Sequence, residues 1–98
     1  MKYSLFVGRW QPFHDGHRWL INERLKEGKN VCVAIREIDQ SDENPYNPKA
    51  VKKNIESELS ELIKVKKVKV IIIPDIESIN YGRGVGYEII EHFPPRTI

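Results

Sequence analysis

A single cysteine, Cys32, stands in the 98 residues. It excludes an intramolecular disulfide, and a chain without disulfides suits a reducing cytosol, so a cytoplasmic setting is expected. Cys32 lies between Val31 and Val33 in an apolar run, where a small thiol serves as a core residue rather than a nucleophile. No apolar run approaches the roughly 20 residues that cross a bilayer, so no membrane partner is expected. Met1-Lys2 leads straight into a strand-like run with Gly8 and Arg9, without the pattern of a secretory leader. A strong excess of one charge is also lacking: 16 Lys and Arg face 14 Asp and Glu, for a net charge of +2. That balance does not call for nucleic acid, and it suits a small anionic ligand where positive charge is local. The basic run Lys64-Val65-Lys66-Lys67-Val68-Lys69 reads as a solvated edge, and Lys49, Lys52 and Lys53 as solvent-facing.

What is present is an alternation of apolar strands and amphipathic helices. Tyr3 to Gly8, Val31 to Ile35 and Val68 to Ile73 are short continuous apolar runs and read as buried strands. Arg9 to Phe13 reads as a loop, because Pro12 lacks an N–H and disfavours helix at Gln11. From Asp15 the pattern is helical, with Leu20, Ile21 and Leu25 on one face and Gly28 as the stop. Glu37 to Pro48 is a polar loop. A long helix is expected from Pro48 to about Lys64, with Val51, Ile55, Leu59, Leu62 and Ile63 as its stripe. Asp75 to Arg83 reads as a loop, and Gly84 to Phe93 as a short helix or turn ended by Pro94-Pro95. The order β-α-β-α-β-α in one domain over 1–98 implies a three-layer, Rossmann-like α/β fold. It has a parallel sheet with helices on both faces and right-handed crossovers.

In such a sheet ligands bind beyond the carboxyl ends of the strands. Three loops therefore meet at one edge: Arg9–Phe13, Arg36–Asn47 and Pro74–Arg83. Gly8 ends the first strand, where a bare backbone lets a ligand approach. His14 and His17 are three apart and face the same way on a helical turn. That turn offers unpaired N–H groups and the positive end of the helix dipole, and Gly16 removes a side chain between the imidazoles. Arg9 adds a permanent charge with bidentate geometry. Phosphate binding is one reading of this group; a cap, a surface histidine or a metal pair is the other. No third metal ligand is apparent, since His92 is distant and Asp15 is off the shared face.

Other residues carry two readings each. Arg36 contacts a triphosphate or acceptor phosphate, or pairs at the surface with Glu37 or Asp39. Arg83, between two glycines, clamps an anion or sits in a solvated turn. Asp75 holds a ribose hydroxyl or caps a turn. Trp10 stacks on a base or closes the loop against the core, whereas Trp19 packs.

The run Gly8-Arg9-Trp10-Gln11-Pro12-Phe13-His14-Asp15-Gly16-His17 resembles the His-x-Gly-His motif of the nucleotidyltransferase superfamily. That group includes cytidylyltransferases, pantetheine-phosphate and nicotinamide-nucleotide adenylyltransferases and the catalytic domains of class I aminoacyl-tRNA synthetases. Further segments resemble the small adenylyltransferase/cytidylyltransferase-like proteins: Val33-Ala34-Ile35-Arg36, Asn44-Pro45-Tyr46, Pro74-Asp75-Ile76 and Tyr81-Gly82-Arg83-Gly84-Val85-Gly86-Tyr87. The resemblance implies a HUP-type Rossmann-like fold. It implies transfer of AMP or CMP from a nucleoside triphosphate to a small phosphorylated acceptor, with release of pyrophosphate. His14 and His17 would be catalytic, Gly8, Arg9, Trp10, Gln11 and Gly16 would bind the nucleotide, and Arg36 and Arg83 the phosphates of acceptor or nucleotide. Mg²⁺ would be held mainly by the nucleotide phosphates rather than by protein ligands.

Enzymes of this type also carry a motif Ile-Ser-x-Thr-x-Ile-Arg near the chain end. The sequence reaches Pro94-Pro95-Arg96-Thr97-Ile98 where that motif would begin, and Arg83 or Arg96 is expected to compensate in part. A rival reading follows: a nucleotide-binding subunit or sensor without turnover. The missing strands would leave a sheet edge that a homodimer or larger homo-oligomer covers. A nucleic-acid-binding module is the weakest reading, because the basic residues are scattered.

Overall fold

Residues 1–84 and 86–95 are described in a computed structural model. Three parallel strands, β1 (Tyr3–Gly8), β2 (Asn30–Glu37) and β3 (Val68–Pro74), form one sheet in the order β1-β2-β3. Helices α1 (Asp15–Leu25), α2 (Pro48–Glu58) and α3 (Ser60–Lys64) fill the connections. The α/β class and the parallel, Rossmann-like sheet are thus as the alternation of patterns predicts. Among the described residues no helix is long and apolar enough to cross a membrane.

The register explains the core. Phe6 lies opposite Val33, and Val33 opposite Val70; Val31 lies opposite Val68 and Ile35 opposite Ile72. Alternate strand residues share a face, so these side chains form one apolar surface. Ile21 of α1 and Val51, Ile55 and Leu59 of α2 and its cap pack onto it in a single cluster. Val31, Val33, Ile35 and Ile55 are sealed from water. Each such residue contributes about 1.5–3 kcal/mol relative to exposure. Both crossovers therefore bring their helices to the same face, so the expected three layers, with helices on both faces of the sheet, are corrected to two among the described residues. On the opposite face Leu5 remains 59% exposed, whereas Ala34 on the central strand is buried.

The helix ends follow from local chemistry. Asn47 caps α2 by accepting the Ala50 N–H at 2.8 Å, and Pro48 occupies the first turn, where no N–H is needed. The end of α1 closes on Gly28, whose φ of 78° is left-handed, with the Lys29 N–H donating to the Arg24 carbonyl.

Two further expectations are corrected. The helix from Pro48 to Lys64 is interrupted at Leu59, which has φ −113° and ψ 23°. Val51, Ile55 and Leu59 recur every fourth residue, and each such step overshoots a full turn by about 40°. The break re-aims the chain so that Leu62 and Ile63 still reach the core. Of the helix or turn expected over Gly84 to Phe93, no helix forms in the described part, and a turn is present only at Arg83-Gly84. Gly84 and Gly86 take φ of 76° and 78°, which a right-handed helix does not accommodate. Tyr87, Ile89, Ile90 and Phe93 are exposed, so no packing offsets the cost of helix nucleation.

Candidate functional site

The parallel register places the ends of all three strands at one edge, with Gly8 opposite Ile35 and Glu37 opposite Pro74. The loops beyond them are tied together by side chains. Arg9 Nη1 donates to Asn44 Oδ1 at 3.2 Å, and the Tyr46 N–H donates to Gln11 Oε1 at 3.0 Å. Arg36 Nε and Nη2 donate to Asp75 Oδ1 at 3.1 and 2.9 Å, and Nη2 also reaches the Ile76 carbonyl at 3.3 Å. The first loop thus meets the second, and the second meets the third, at the edge where the sequence places them.

Trp10 anchors the first loop. Its indole is buried, and Nε1–H donates to the Ala34 carbonyl at 3.0 Å. The residue accepts a left-handed backbone, φ 56°, which costs about 1–2 kcal/mol for a non-glycine residue. Burial of the ring and its hydrogen bond offset that strain. Of the two readings for Trp10, the structure realises closure of the loop against the core. Gly8 follows from it: a Cβ there would sit 3.0 Å from Trp10 Cε2. The bare backbone at Gly8 admits the indole.

The two imidazoles form the centre of the group. Their rings stack with centroids 3.7 Å apart and planes at 20°. His14 is the N-cap of α1, and its Nδ1 accepts the Gly16 N–H at 3.0 Å. His17 Nδ1 accepts the His14 N–H at 3.2 Å. This is a capping box built from two histidines in place of Ser/Thr and Glu/Gln. Because each Nδ1 is an acceptor, the proton of each neutral ring sits on Nε2. The paired rings then present two Nε2–H donors at the positive end of a helix. Burial, and secondarily the neighbouring His14, push His17 down to about 4. At neutral pH His17 is therefore an uncharged donor.

The expectation of open backbone N–H groups at this helix start is corrected at residues 16, 17 and 18. The Gly16 N–H is taken by His14 Nδ1, and the His17 and Arg18 N–H groups by the His14 carbonyl. The imidazole pair is held from below by Trp10, edge-on to His17 at 4.7 Å, and by Phe13 at 5.6 Å.

The arginines differ in their surroundings. Arg18 pairs with Glu58 and Arg36 with Asp75, so the ion pair foreseen for Arg36 with Glu37 or Asp39 forms with Asp75 instead. Among the described residues no ion pair involves Arg9, which is exposed. Arg83 is exposed on its turn, and no contact among the described residues ties it to the imidazoles. Arg96 lies outside the described residues. Gln11 serves as a strut through its Oε1. His92 stacks on Phe6 at 5.9 Å, away from the imidazole pair. Lys64, Lys66, Lys67 and Lys69 are exposed, as a solvated edge requires. Among the described residues no three of His, Cys, Asp and Glu converge on a metal position. Two shallow concavities lie elsewhere, one between α1 and α3 beside Trp19, the other at the start of α2. Of the imidazole pair, His14 is exposed and His17 is half-buried.

Asn44 was not legible as a site residue. Its signal is the pairing of a loop Asn-Pro with an arginine 35 residues away, which no local pattern encodes.

Comparison with known proteins points the same way as the motif. A stretch of 45 residues, 46% of the chain, is 36% identical to a nicotinamide-nucleotide adenylyltransferase of Methanospirillum hungatei JF-1, of which it covers 25%. Enzymes of the same name are similar at 38% over 48 residues in Methanolobus tindarius and 39% over 41 residues in Methanocorpusculum labreanum. Those matches cover 49% and 42% of this chain and 27% and 24% of the relatives. The chain thus matches about a quarter of the length of these curated relatives. No family profile and no solved structure matches it.

Proposed function

We propose that the chain binds a nucleoside triphosphate through His14, His17 and Arg9 and supports transfer of its nucleoside monophosphate to a small phosphorylated acceptor. The observation that carries the reading is the stacked imidazole pair, whose two Nε2–H donors share one side of a helix start. An acceptor phosphate oxygen attacks the α-phosphorus. The bond from that phosphorus to the bridging oxygen of the β-phosphate breaks, and pyrophosphate leaves with the electron pair. His14 and His17 hydrogen-bond the transferred and leaving phosphates, a preorganised contact whose loss typically costs ~3–4 kcal/mol of barrier. Arg9 adds charge beside them. Mg²⁺, held mainly by the phosphates, neutralises the remaining charge when bound. The names of the relatives favour ATP as donor and nicotinamide mononucleotide as acceptor.

A second reading, a nucleotide-binding subunit without turnover, is favoured by one contact. Arg36, assigned to the acceptor, is engaged by Asp75 and Ile76. A pyrophosphate-release assay with ATP or CTP and a panel of phosphorylated acceptors separates the two. Release that needs both substrates and disappears in His17→Ala supports transfer. Calorimetric ATP binding without release under every acceptor supports the second reading.

A further inference from the structure

We infer that Asn44 is a positioning residue that aims Arg9 at the polyphosphate while leaving its charge uncancelled. The inference rests on the triphosphate reading of the imidazole pair.

Arg9 is exposed, and an exposed arginine left to itself samples many rotamers. Here Nη1 donates to Asn44 Oδ1 at 3.2 Å. Asn44 is 8% exposed, although it lies in a polar loop. It is fixed on every side. Its N–H reaches the Ser41 carbonyl and Oγ, each at 3.2 Å, and its carbonyl accepts the Ser41 N–H at 3.0 Å. Nδ2 donates to Ser41 Oγ at 3.4 Å, which turns Oδ1 toward Arg9. Pro45 restricts the backbone of Asn44 further. Two residues on, the Tyr46 N–H holds Gln11 Oε1. The second loop therefore grips the first at alternate residues, 9 and 11.

The chemistry of the partner is specific. The three arginines that make side-chain ion pairs among the described residues, Arg18, Arg24 and Arg36, each meet a carboxylate. Arg9 meets a neutral amide. An amide oxygen fixes a guanidinium with one hydrogen bond and leaves its positive field intact. A carboxylate of the same shape would fix it equally well but cancel the charge. One of five N–H donors is used, and the remainder are available to phosphate oxygens. A neutral brace under a cation is what a polyanion site requires. It makes Asn44 a determinant of how strongly phosphate number counts in binding.

Asn44→Asp separates charge from shape. The Ser41 hydroxyl can turn to donate to the new carboxylate, so the loop is retained. Calorimetry would compare wild type, Asn44→Asp, Arg9→Gln and the double variant against inorganic tripolyphosphate, ATP and AMP, with thermal melting of each. Asn44→Asp is expected to weaken tripolyphosphate and ATP about tenfold, and AMP less than about twofold, with an unchanged melting temperature. It is expected to flatten the salt dependence of ATP binding and to add no loss to Arg9→Gln. Wild-type affinity for tripolyphosphate in Asn44→Asp, or equal losses for ATP and AMP, would overturn the role of Asn44 while leaving the imidazole site in place. Failure of wild type to bind either polyphosphate would overturn the site and the brace together.

Discussion

The Nδ1 of His17 accepts the backbone N–H of His14 at 3.2 Å, and the same atom cannot then carry a proton. The depressed value of His17, about 4 against an ordinary 6.5, has burial as its larger cause. The hydrogen bond adds a geometric reason in the same direction. Capping of α1 and neutrality of His17 are one condition.

A pH dependence of stability follows. Between the ordinary value and about 4 the unfolded chain holds more protons on residue 17 than the folded chain. Stability contributed by the neutral ring is complete above pH 6.5 and declines as pH falls towards 4. Urea unfolding midpoints at pH 7, 5.5 and 4.5 measure it. In His17→Gln, where the amide oxygen can take over the cap, this decline is expected to shrink.

The indole of Trp10 sets a second test. Gly8→Ala drives a Cβ into that ring, at 3.0 Å before relaxation. A loss of about 1–3 kcal/mol is expected. Trp10→Phe relieves no strain and leaves the Ala34 carbonyl without its donor, for a loss of about 1–3 kcal/mol. Denaturant unfolding of each variant checks both values.

The Arg36–Asp75 pair behaves differently, because both groups are partly exposed. Asp75→Asn is expected to change stability by less than about 1 kcal/mol. Its effect should be functional: freeing Arg36 lowers KM for a phosphorylated acceptor if that residue binds it. A rise in KM with unchanged stability would show that the pair itself shapes the acceptor side.

The strands were legible because each is a continuous apolar run, and burial on a parallel sheet demands that pattern. The start of α1 was legible from Pro12 and Asp15, and its end from Gly28. The break at Leu59 was not, since Val51, Ile55, Leu59, Leu62 and Ile63 fit a helical stripe until the drift of four-residue steps is followed through. From Gly84 the helix alternative fails for the opposite reason: Tyr87, Ile90 and Phe93 have helical spacing, but two left-handed glycines and the exposure of those side chains decide against helix. At the candidate site, the convergence of Arg9, His14, His17 and Arg36 on one edge follows from the parallel order alone. The tautomers, the occupied N–H groups of the first turn, the inward face of Trp10 and the brace from Asn44 depend on contacts up to 35 residues apart in sequence, where no spacing rule applies.

The central claim is that His14 and His17 hold a polyphosphate through Nε2–H, beyond capping the helix. His14→Asn and His17→Gln preserve acceptors for the Gly16 and His14 N–H groups but remove both Nε2–H donors. Calorimetric titration of ATP into wild type and into the double variant tests the claim. The account predicts that the double variant keeps its helix content and melting temperature but binds ATP at least about 100-fold more weakly, as loss of two such donors requires. Wild-type affinity for ATP in a folded double variant would contradict it.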